Sequence, residues 1–88
     1  MFLTELSEAI IHAKGDQFPQ AEAEKMANEV WAELLELGMD AFPCMVHRGE
    51  IRFVYQWDET PPVLTVMLWN DRNWQDIARV VVPMTMGE

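Results

Sequence analysis

The sequence predicts an α+β domain in which two N-terminal helices pack on one face of a three- to four-stranded antiparallel β-meander. Three observations predict it. Apolar residues recur at helical spacing through the first 37 positions, the period changes to two after Gly38, and the later segments are divided by short polar, glycine or proline breaks. A chain of 88 residues has surface enough to bury one core, so residues 1–88 read as a single domain.

Residues 1–14 form the first predicted helix, with Phe2, Leu3, Leu6, Ala9, Ile10 and Ala13 on one arc and Glu5, Glu8 and His12 opposite. Lys14-Gly15 ends it, a cation at the negative pole of the helix followed by the residue that most easily turns left-handed. The second helix is predicted over 19–37. Pro19 suits its first turn, where a missing N–H is harmless, and Gly38 suits the position after its end, with Leu34 and Met39 placed for the apolar contact that accompanies such a stop. Ala23, Met26, Ala27, Val30, Trp31, Leu34, Leu35 and Leu37 supply its apolar face.

Ile51, Phe53, Tyr55 and Trp57 alternate with Arg52, Val54 and Gln56, the pattern of a strand with one buried face. Arg48-Gly49 forms the turn from an earlier strand at 43–47. Residues 58–62 contain two prolines, which donate no ladder hydrogen bond, and therefore form a loop. A third strand follows at 63–69, a polar turn at 70–73 and a fourth strand at 74–82. That last segment also has helical spacing at Trp74, Ile77, Ala78 and Val81. Three consecutive valines before Pro83 favour the strand, because β-branched side chains crowd a helical turn and fit a pleated sheet.

Composition narrows the function. Fifteen acids against six Lys and Arg leave a net charge of −9, in a chain that is 50% hydrophobic and so expected to fold. Cys44 is the single cysteine, which excludes an internal disulfide and leaves aromatic packing or self-association to stabilise a small core. The acidic start lacks the basic residues of a secretory signal and no run approaches the roughly 18 apolar residues of a membrane span, so a cytoplasmic location is expected. The negative charge repels phosphate backbones and anionic headgroups. Direct nucleic-acid and membrane binding are therefore not expected, and a protein partner with a basic surface is.

No catalytic, cofactor or metal site is expected. Cys44 and His47 are three apart, but on a strand they point to opposite faces, and only His12 and acids such as Asp40 remain to complete a four-ligand zinc site. The same separation argues against a thiol nucleophile and its base, which must lie within hydrogen-bond reach. The four glycines are dispersed, unlike a phosphate-binding loop. The protein reads as a non-enzyme.

Two surfaces remain as candidate partner sites. Glu22, Glu29, Glu33 and Glu36 share a narrow stripe of the second helix, placed opposite the Val30, Ala23 and Leu34 face, where lysines would have stabilised the helix better than like charges. Residues 1–44 hold nine acids and two lysines, net −7, whereas residues 45–88 hold six acids and four arginines, net −2, so the acidity belongs to the helical half. The second surface is on the sheet: if Leu64, Val66 and Leu68 face the helices, Val63, Met67 and Trp69 face outward. Trp69 and Trp74 flank the 70–73 turn and are placed to pair across strands near Arg72.

The expected function is thus a small acidic interaction module, an inhibitor or regulator that masks a basic, nucleic-acid-binding surface of another protein through Glu22, Glu29, Glu33, Glu36, Met67 and Trp69. In size and acidity the chain resembles small inhibitors encoded by phages, nucleic-acid mimics among them, without a shared motif. The alternative is a homodimeric structural or regulatory subunit closed through the apolar sheet face.

Overall fold

The computed structural model describes residues 2–38, 44–59 and 61–82. Its elements are α1 (Phe2–Lys14), α2 (Gln20–Leu37), β1 (Met45–Arg48), β2 (Ile51–Gln56), β3 (Val63–Trp69) and β4 (Trp74–Val81). The predicted α+β arrangement is present, and residues 74–81 are a strand rather than a helix. Pro19 stands one position earlier than expected, capping α2 with extended backbone (φ −62°, ψ 137°). Gly15 and Gly38 both have positive φ and end their helices, Gly15 through an N–H that donates to the Ile11 carbonyl at 2.7 Å. The expected start of the first strand at Pro43 and the Leu34–Met39 contact lie outside the described residues.

The sheet runs in the order β1-β2-β3-β4 with every neighbour antiparallel. Both helices lie on one face, α1 over β3 and β4 and α2 toward β1. Helical spacing and strand alternation meet in a single core: Leu6, Ile10, Val30 and Leu34 from the helices against Ile51, Phe53, Leu64 and Val66 from the sheet. Fully buried Ala23 and Ala27 add small side chains to the core face of α2, and Phe2 meets Trp31 edge to face at 4.6 Å. Because Leu64 and Val66 point inward, Val63, Met67 and Trp69 belong to the outer face.

β4 carries an irregularity that controls what the outer face displays. Val66 pairs with Ala78 but Met67 pairs with Asp76, so Ile77 is an extra residue in β4, a β-bulge. In an uninterrupted strand Trp74, Asp76, Ala78 and Val80 would share one face. The bulge separates them, leaving Ala78 and Val80 against the core while Trp74 joins Trp69 outside. The mixed spacing of this segment in the sequence is the trace of that switch in parity.

Phe53 is the largest fully buried side chain, so Phe53→Ala is expected to lower the unfolding free energy by about 3–5 kcal/mol in urea denaturation. Exposed Val81→Ala is expected to change it by about 0.5 kcal/mol or less. Burial raises the phenol of Tyr55 above its ordinary value of 10.0, with Cys44 adding in the same direction. A raised acid favours the neutral form in the folded state, so its contribution to stability is complete below pH 10 and is lost as pH rises through the higher folded value. Tyrosinate absorbance of this single tyrosine is expected to appear at higher pH in the native protein than in urea.

Candidate functional site

The four predicted glutamates are all on α2, and the structure divides their roles. Glu22 and Glu29 line a groove of about 450 Å³ with Phe18, Pro19, Lys25 and Met26. Half-buried Phe18 and Met26 pack against the core, so the groove combines an apolar patch with two exposed carboxylates and the exposed ammonium of Lys25. Lys14 lies over the Phe18 ring at 5.6 Å and bounds the same region. Glu33 forms an ion pair with Arg48 at the end of β1.

Helix geometry, with which the ion pair agrees, corrects the expected placement of the stripe. At 3.6 residues per turn its centre lies about 110° from the centre of the Val30, Ala23 and Leu34 face, on the flank of the helix rather than opposite the core. The flank runs beside the β1 edge of the sheet, within reach of Arg48. Glu22, Glu29 and Glu36 stay exposed, while Glu33 already holds a guanidinium.

The outer sheet face is the second surface. At one end Glu50, Trp69 and Trp74 form a cross-strand row: the backbone N–H of Trp69 donates to the backbone carbonyl of Glu50 at 2.9 Å, and Trp69 is the register partner of Trp74. The indoles are 5.4 Å apart with an interplanar angle of 58°. The next row is His47, Arg52, Met67 and Asp76. The Arg52 guanidinium carbon sits 4.4 Å from the Trp74 ring centroid, and its NH2 group approaches the Met67 sulfur at 3.5 Å. His47 meets Trp74 edge to face at 5.7 Å. The expected Trp69–Trp74 pair is therefore present, but the cation stacked on it is Arg52, not Arg72.

Farther along this face Thr65 is only 4% exposed, and its hydroxyl donates to Gln56 Oε1 at 2.7 Å. Met67 is half-buried and Trp69 is 37% exposed. Gly49, Glu50, Trp69 and Trp74 line a shallow cleft of about 310 Å³. The Arg48-Gly49-Glu50 turn joins the two surfaces, with Arg48 on the α2 acids and Glu50 among the tryptophans two residues later.

Sequence reasoning named Trp69 and Met67 on this surface but missed His47, Glu50 and Arg52. The parity of β2 contained the signal for Arg52, since residues between inward Ile51 and Phe53 must point outward. Cys44 is buried in the core and His47 is exposed outside, so the structure does not bring them together. His12 is exposed on α1, and Asp40 lies outside the described residues. Among the described residues there is no group of three or more His, Cys, Asp or Glu placed to hold a metal ion. Among them, too, no helix is long and apolar enough to cross a membrane.

Compared with protein families, curated proteins and solved structures, the chain matches none. Its two surfaces therefore have to be judged by their own chemistry. The Glu33–Arg48 pair is partly solvent-exposed, so a double-mutant cycle of Glu33→Gln and Arg48→Gln is expected to return a coupling of about 1 kcal/mol or less, diminishing as salt is added.

Proposed function

We propose that this chain is a small, acidic, non-enzymatic interaction module that binds a basic surface of another protein and acts by occupying it. The groove bounded by Glu22 and Glu29 over Phe18 and Met26 carries this reading. A lysine or arginine side chain has a long apolar stem and a charged tip; Phe18 and Met26 suit the stem and Glu22 and Glu29 the tip, with Lys25 on the same lining offsetting part of their charge. The net charge of −9 extends that attraction beyond contact distance, which raises association rates at low salt. Basic protein surfaces commonly bind nucleic acid, so the most specific form of the proposal is an inhibitor or regulator that competes with phosphate for the same cations.

A homodimeric structural or regulatory subunit is the second reading, favoured by the exposure of Trp69 and Val81 on the outer sheet face. It leaves the acidity with solubility alone.

The two readings separate experimentally. A partner captured from the source cell at low salt is expected to have a basic surface and to be released at high salt. Glu22→Gln/Glu29→Gln/Glu36→Gln is expected to weaken that partner's affinity at least tenfold, and affinity unchanged by both salt and these substitutions would reject the acidic-groove mechanism. By light scattering, a dimer converted to monomer by Trp69→Glu supports the second reading, whereas a wild-type monomer at high concentration removes it.

A further inference from the structure

We propose that the cleft formed by Glu50, Trp69 and Trp74 is a cation-binding anchor that receives an arginine side chain of the same basic partner. This inference rests on the interaction reading above and adds the recognition element on the opposite layer of the fold.

Three features of the cleft point to a guanidinium. Its walls are indoles, whose faces carry the negative lobe of the ring quadrupole. Its rim carries Glu50, an exposed carboxylate on the hairpin turn. Trp74 also shows the required contact within this molecule, since the Arg52 guanidinium sits 4.4 Å from its ring centroid. The two indoles touch each other, 5.4 Å between centroids, and Arg52 already lies on Trp74, so the incoming guanidinium lies along the open side of the pair next to Glu50 rather than between the rings.

Other occupants fit less well. The Arg52 Nε has no hydrogen-bond partner, but it is buried and so closed to an anion in the cleft, and Glu50 on the cleft lining repels one. A purely apolar side chain would desolvate Glu50 without compensating it. A second cation beside Arg52 is tolerable only if a negative charge offsets their repulsion, and Glu50 supplies it. The substitution Glu50→Gln therefore tests the proposal most directly, because it removes the charge and keeps the shape.

The probe is acetyl-arginine amide, titrated into the ¹⁵N-labelled full chain while the indole Nε1–H signals of the four tryptophans are followed. The signals of Trp69 and Trp74 are expected to move saturably, without parallel movement of buried Trp31. The neutral isostere acetyl-citrulline amide is expected to bind several-fold more weakly. Glu50→Gln should weaken arginine binding about two- to fivefold, the size of an exposed ion-pair contribution. Glu22→Gln/Glu29→Gln/Glu36→Gln should leave it unchanged.

Equal responses to arginine and citrulline, an unsaturable response, or indifference to Glu50→Gln would overturn the anchor. So would tighter binding of inorganic phosphate at the same signals, which would make the cleft an anion site. Failure here with salt-sensitive partner binding intact removes the anchor alone. Loss of the partner's dependence on the α2 acids with the anchor intact removes the acidic-groove reading instead.

Discussion

A chain of this length supports one core, and that constraint organises the molecule. Both helices spend their apolar faces on the same side of the sheet, where Phe53, Leu64 and Val66 are fully buried against them. No third layer covers the other side among the described residues. The outer face consequently relies on contacts among its own side chains, stacking Arg52 on Trp74 and bonding Thr65 to Gln56, and the Arg52 Nε stays buried without a hydrogen-bond partner. A two-layer domain with a single core has this consequence in general: one sheet face packs in the core and the other faces water.

The bulge at Ile77 determines which residues the available face receives. It reverses the parity of β4 partway along, so that Val80 remains in the core and Trp74 moves outside to meet Trp69, His47 and Arg52. Without that reversal a tryptophan and an aspartate would face the helices, where Asp76 would lose hydration without a partner. Asp76 instead sits beside Arg79, 3.7 Å away on the exposed edge strand. One extra residue thus protects the core and creates the aromatic cluster outside it.

The acidic flank and the aromatic cleft occupy different layers but are continuous through the β1–β2 turn. Arg48 reaches the α2 stripe from one end of that turn, and Glu50 enters the tryptophan row at the other. A basic partner engaging both surfaces would wrap the β1 edge. If both surfaces bind as proposed, two sites for the same kind of side chain would give more selectivity than either alone, because each would require a cation at a defined place on the partner. The intramolecular Glu33–Arg48 and Arg52–Trp74 pairs show within this chain the two chemistries that such a partner would use.

The order and type of the elements were legible in the sequence because they depend on local periodicity and on stops such as Gly15 and Gly38. So were the clustering of Glu22, Glu29, Glu33 and Glu36 on one helix and the pairing of Trp69 with Trp74, which follow from helical and hairpin geometry. The strand over 63–69 was ambiguous by contrast, since apolar residues occupy both of its faces and only helix docking shows which side is buried. The stripe's place on the flank follows already from 3.6 residues per turn, whereas Arg48 on Glu33, and Arg52 rather than Arg72 on Trp74, likewise emerged only from tertiary structure. Each depends on residues brought together by the fold. Local pattern sets what each segment forms and how much charge it carries, whereas which face meets which follows from the fold, because one bulge and one docking choice set the direction of the side chains around them.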